Sequence, residues 1–279
     1  MTRTNRTVGA LAIVLYWAVT TFAHLPVSLW LVKRRESEWL GTFQLTEFLP
    51  ALALFGVAGL LAHWTLRALA CRDPWPTLVA WALWLACIAP VDRFLLYSFP
   101  EYLHYPQYAL LGWLLARWLD PARRGHGFGI ALLAGTLLGM VDEILQYVWL
   151  TISYSNYLDF NDFILNLLGT VAGLLVYYGF RDRPSDGGAF TATGVATTGF
   201  IALGLVLWTL ISMLTVQANA SAVLPWIERE LSYGTWIRGP HAGHYYVLPP
   251  AIGTLLLVGA GLAFTQIGRA ITRSGCRAA

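Results

Sequence analysis

The sequence predicts an all-α, polytopic membrane helical bundle with about eight transmembrane helices. Composition points there first: 57% of residues are hydrophobic and only 12% charged, against about 25% charged in ordinary soluble domains. Mean hydropathy is +0.58. The apolar residues also gather in runs of bilayer-crossing length, divided by short polar or proline-containing breaks.

The spans read as 8–32, 48–70, 75–97, 104–119, 127–150, 160–180, 199–217 and 248–268. Breaks fall at Lys33-Arg34-Arg35, Arg72-Asp73-Pro74, Asp120-Pro121, the loop from Ser153 to Asp159, and Arg181-Asp182-Arg183-Pro184. The first run is too long for a cleaved signal and lacks a small-x-small site before His24, so it reads as a retained anchor. The 104–119 run is short, which leaves a tilted or partly re-entrant segment open. Pro90, Asp92 and Arg93 interrupt the far end of the third run.

The expected organisation is two N-terminal spans (1–74), a four-helix core (75–183), a Gly- and Thr-rich cytoplasmic linker (184–198), and two C-terminal spans (199–279). The last two enclose an outer loop, 217–247, in which Val223 to Leu231 suits a short surface helix. Basic residues set the orientation. With both termini cytoplasmic, Arg3, Arg6, Arg67, Arg72, Arg117, Arg123, Arg124, Arg181, Arg183, Arg269, Arg273 and Arg277 lie inside. Outside lie Lys33, Arg34, Arg35, Arg93, Arg229 and Arg238, the first three running against the rule.

A formal net charge of +3 gives no basis for a nucleic-acid partner. Cys71, Cys87 and Cys276 have neither metal-type spacing nor a disulfide pattern. His241-Ala-Gly-His244 is a lone histidine pair, and His24, His63 and His126 have no evident partners. No metal or cofactor is expected.

The chemistry concentrates between Gly135 and Gly173. Ionisable groups are expensive in a bilayer and usually mark function. Glu143 lies about 10 Å below the end of the fifth span and Asn166 about 9 Å below the start of the sixth, at ~1.5 Å per residue. Gly135, Gly139 and Glu143 share one helical face; Asp162, Asn166, Gly169 and Gly173 share another. An antiparallel hairpin would therefore set Glu143 against Asn166, Gly139 against Gly169, and Gly135 against Gly173, with small residues letting the backbones approach. Asp142, Gln146 and Asp159 lie nearby in sequence.

From neighbouring span ends, Asp92, Arg93, His104, Tyr105 and Tyr108 are expected in the same layer, with Arg93 as counter-ion and His104 able to exchange protons near neutrality. A self-paired Asp92–Arg93 ion pair at the surface and a solvent-facing His104 are equally open readings. The plainer alternative is that Glu143, Gln146 and Asn166 only tie helices together. It suits the amides better than the acids, which repel one another.

At these residues the chain resembles the VanZ-like family, membrane proteins named for a teicoplanin-resistance accessory factor. The resemblance spans about residues 90–180. It rests on Leu103-His104-Tyr105 with Tyr108 to Gly112, on Asp142-Glu143-Ile144-Leu145-Gln146, and on Asp159 to Gly169 continuing to Gly173. Many members carry an arginine in the connector before the last element; Ser153 to Leu158 has none. The resemblance implies a multi-pass protein of the bacterial cytoplasmic membrane with a role in the cell envelope and in glycopeptide resistance. It implies no particular reaction.

Three functions are consistent with these features. One is a non-enzymatic envelope protein that binds a membrane lipid, a lipid-linked wall precursor or a glycopeptide in an outward-facing polar pocket. Another is a membrane enzyme using Glu143 and His104 as acid and base. The third is a small proton-coupled transporter, although no inverted repeat is visible in the sequence.

Overall fold

The computed structural model describes residues 3–34, 59, 62–68, 73–96, 99–150, 157–180, 189–218, 233–238 and 244–274. The described fold is all-α, with one small β-ribbon. Seven long helices follow in order: α1 (Arg3–Arg34), α2 (Trp75–Phe94), α3 (His104–Leu119), α4 (Phe128–Leu145), α5 (Phe160–Tyr178), α6 (Ala189–Ala218) and α7 (Pro250–Ser274). Residues 62–68 are also helical, but most of the expected second span lies outside the described residues. All of these except α3 and the 62–68 segment, six helices in total, contain a stretch long and apolar enough to cross a membrane. At 16 residues, α3 is shorter.

Several element boundaries differ from expectation. Pro90 does not stop α2, which carries Asp92 and Arg93 in its last turn. A 3-10 turn, Phe99–Leu103, leads into α3. A π turn, Gln146–Leu150, extends α4. Residues 189–198, read from sequence as linker, form the first turns of α6. Small residues there serve packing: a Cβ on Gly129 of α4 would lie 2.7 Å from the Ala196 Cβ. The outer loop contributes an antiparallel ribbon, β1 (Trp236–Arg238) with β2 (His244–Tyr246), pairing Ile237 with Tyr245. The surface helix expected at 223–231 lies outside the described residues.

Helix α5 is the axis of the bundle. It is apolar on nearly all sides, as a helix enclosed by others must be. Its spanning stretch is 89% buried, against 11% for those of α1 and α6. Neighbours α2, α3, α4 and α7 all pack on it. The expected glycine-on-glycine hairpin does not form. Gly135 and Gly139 of α4 instead meet Thr170 and Asn166 of α5, whereas Gly169 and Gly173 turn to α3, against Tyr108, His104 and Ala109. The reason is angular. Positions 166 and 170 lie about 60° around the helix from 169 and 173 at ~100° per residue, so α5 has two adjacent stripes, one for each neighbour.

At the end where α3 gives way to α4, Asp120 fixes the turn. Its carboxylate accepts from the backbone N–H groups of Arg124 (2.8 Å) and Gly125 (2.6 Å) and from the Tyr178 hydroxyl (3.2 Å), while its carbonyl accepts from Tyr177 (2.8 Å). This turn is thereby stapled to the end of α5.

A Cβ on Gly173 would sit 1.9 Å from the Ala109 carbonyl oxygen, whereas one on Gly194 meets nothing within 4 Å. Gly173→Leu should therefore force α3 from α5 and lower stability by about 1–3 kcal/mol or more, with Gly194→Leu near neutral. Thermal unfolding in detergent checks this; equal midpoints for the two variants would contradict the packing.

Candidate functional site

Three helix ends meet at the pole opposite Asp120. His104 and Tyr108 come from the first turns of α3, Asp142 and Glu143 from the last turn of α4, and Asp162 and Asn166 from the first turns of α5. An antiparallel path through α3, α4 and α5 brings these ends together. The His104, Tyr108, Asp142, Glu143, Gln146 and Asn166 side chains are buried. The 16% exposure of the Asp162 side chain leaves it the most open member of the ion-pair cluster.

The Asn166 amide joins all three helices. Its Nδ2 donates to Glu143 Oε1 (2.9 Å) and at longer range to the Gly139 carbonyl (3.4 Å), and its Oδ1 lies 2.7 Å from His104 Nδ1. With the NH2 group committed to two acceptors, Oδ1 must accept, so His104 Nδ1 carries the proton. His104 Nδ1 also lies 3.7 Å from Glu143 Oε1, and Nε2 lies 4.0 Å from Asp162 Oδ1. That aspartate oxygen is buried and accepts no hydrogen bond.

A second branch runs beside the first. Tyr108 donates to Asp142 Oδ2, and Gln146 Nε2 donates to Asp142 Oδ1 at 3.1 Å. The Tyr108 ring stacks near-parallel to His104, with centroids 6.2 Å apart. Gly139 is needed here, because a Cβ would fall 2.8 Å from the Asn166 Cβ and 3.1 Å from the Tyr108 ring.

Not every expected member joins. Asp92 is exposed and accepts from Tyr102; Arg93 is exposed and lies over Phe94, 5.5 Å from the ring centroid. Both stay at the end of α2, so Arg93 is not the counter-ion of the buried acids. Among the described residues, His104 is the basic side chain that lies within 4.0 Å of both Glu143 and Asp162. Asp159 caps α5, accepting from the Asn161 N–H at 2.8 Å. Burial and the neighbouring Asp162 carboxylate push Asp159 up to about 8, against hydrogen bonds from Asn161, Tyr157 and Asp162. His244 is exposed on β2, and His241 lies outside the described residues.

Sequence reasoning missed Asn161. Its Nδ2 donates to the carbonyls of Leu95 (3.0 Å) and Tyr246 (2.8 Å), and its Oδ1 accepts from the Leu248 N–H (3.1 Å). Together with Tyr233 donating to the Leu158 carbonyl and a Tyr157–Tyr245 hydroxyl contact, it fastens the ribbon to this pole. An asparagine one residue before Asp162 was the only available signal, and its partners are distant in sequence. Compared with protein-family models, curated proteins and solved structures, the chain matches none.

Removing the three hydrogen bonds of Asn161 by Asn161→Ala should loosen the ribbon first. Hydrogen exchange at Val247 and Leu248 is expected to accelerate while the middle of α5 stays protected; unchanged exchange at 247–248 would contradict the clamp. The raised Asp159 binds its proton more tightly folded than unfolded between its ordinary value and about 8. Stability should thus decline as pH rises through that window. Asp159→Asn should flatten the decline, measured as thermal midpoints from pH 5 to 8; an identical slope in the variant would contradict it.

Proposed function

We propose that this chain is a multi-pass protein of the bacterial cytoplasmic membrane that holds the polar headgroup of a lipid-linked, wall-related ligand at the pole formed by His104, Asp142, Glu143, Asp162 and Asn166. One observation carries the reading: three carboxylates and an imidazole from three helices converge at one end of an otherwise apolar bundle. Burying acids together costs too much to be justified as helix attachment, for which amides suffice.

With eight spans and both termini inside, this pole would lie at the outer leaflet. The basic residues at the opposite pole support that placement: Arg117 lies over Trp113 and Arg123 over Tyr177, around the Asp120 turn. The ribbon and its aromatic side chains then lie on the outer surface. An acid-rich pole suits groups that donate hydrogen bonds, such as sugar hydroxyls, amides and ammonium groups, over a bare phosphate. The VanZ-like resemblance points to the same class of wall-related ligand and carries glycopeptide resistance as its physiological setting.

A second reading, a membrane enzyme acting on that ligand, is favoured by the 3.7 Å approach of His104 Nδ1 to Glu143 Oε1 across their shared amide. Such a pair suits proton transfer.

Nanodiscs containing phosphatidylglycerol and a polyprenyl-linked amino sugar test the binding reading by native mass spectrometry. The wild type should retain the glycolipid selectively. Glu143→Gln should weaken retention about tenfold, the worth of one hydrogen bond. Indiscriminate retention of both lipids, or an unaffected Glu143→Gln, would contradict the reading. Release of free sugar, abolished by His104→Gln, would select the enzyme.

A further inference from the structure

We infer that His104, Glu143 and Asp162 form a site for one divalent cation of the borderline, nitrogen- and oxygen-seeking class, Zn2+ or Mn2+. One donor atom from each of the three residues lies within 4.8 Å of the others. Bond lengths of about 2.0–2.2 Å put two ligands of one zinc ion roughly 3–4 Å apart. The 4.0 Å between His104 Nε2 and Asp162 Oδ1 is already close to that span.

Proton placement is a second, independent pointer. Asn166 obliges Nδ1 to be the protonated nitrogen of a neutral His104, which turns the Nε2 lone pair toward Asp162. There it faces an oxygen that is buried without a hydrogen-bond donor. A cation held between these two electron-rich atoms would satisfy both. The Nδ1–H to Asn166 contact is also the outer hydrogen bond that metal-ligating histidines habitually make. Asn166 in turn grips Glu143, so a single amide orients two of the three ligands.

The local charge fits as well. Asp142, Glu143 and Asp162 share this pole, and the neutral His104 beside them brings no positive charge. A bound dication would offset their repulsion. An imidazole with two carboxylates selects Zn2+ or Mn2+ over Mg2+ or Ca2+, which prefer all-oxygen shells. Three protein ligands leave a position open to water or a ligand oxygen, and it lies on the Asp162 side, the least buried of the three.

The cation site shares its three ligands with the pole of the lipid reading but does not depend on that reading: cation uptake by protein that retains no glycolipid would refute only the latter. The test is metal content and calorimetric titration of detergent-purified protein stripped with a chelator. The wild type should take up about one Zn2+ or Mn2+ per chain, with a raised thermal midpoint. Asp162→Asn and His104→Gln should weaken uptake by more than the ~10–100-fold expected for an outer-partner change such as Asn166→Ala, while His244→Ala binds as the wild type. X-ray absorption on the wild type is independent of any variant's folding and should show one imidazole among nitrogen and oxygen donors. Failure of a folded wild type to take up stoichiometric metal would overturn the site. So would uptake surviving both Asp162→Asn and His104→Gln, loss through His244→Ala, or a shell containing sulfur or no imidazole.

Discussion

One buried amide organises the functional pole. Asn166 donates to Glu143 on α4 and accepts from His104 on α3, so its own helix, α5, is pinned to both neighbours at one depth. A buried amide is stable only when its donors and acceptors are satisfied, and here both ends are occupied by side chains that themselves need partners. The short contacts at Gly139 and Gly169 follow from this, since the histidine, tyrosine and asparagine reach one another only where α4 and α3 come close to α5.

The two poles of the α3–α4–α5 unit solve different problems. At the Asp120 pole, one carboxylate is fully engaged by backbone N–H groups and a tyrosine hydroxyl, and it closes a turn. At the other pole three carboxylates converge, and Asp162 Oδ1 accepts no hydrogen bond. The first arrangement completes a fold, while the second stores an electrostatic demand that a ligand or ion can meet. The ribbon is fastened at that second pole through Asn161, which ties the C-terminal part of the chain to the start of α5.

Much of this was legible in the sequence, for identifiable reasons. Apolar runs and their breaks located the six helices that, among the described residues, are long and apolar enough to cross a membrane, although α6 begins within the expected linker. Helical spacing correctly set Glu143 against Asn166. It failed one step further, pairing the glycines across α4 and α5, because a hairpin drawn from two helices ignores a third. Helix α3 takes the Gly169–Gly173 stripe. Charge alone matches Arg93 to the buried acids, but α2 continues through Pro90 and leaves that side chain exposed at its end. Asn161 and the ribbon were hidden because their contacts join residues more than 60 positions apart.

The central claim is that the Asn166 side chain touches His104 and Glu143 at once. Magic-angle-spinning NMR on isotopically labelled protein in lipid bilayers measures this directly. Correlations from the Asn166 side-chain amide should appear both to a histidine ring, lost in His104→Gln, and to a glutamate carboxylate, lost in Glu143→Gln. An Asn166 amide whose nearest neighbours are acyl chains, or which shows only one of the two partners, would contradict the account.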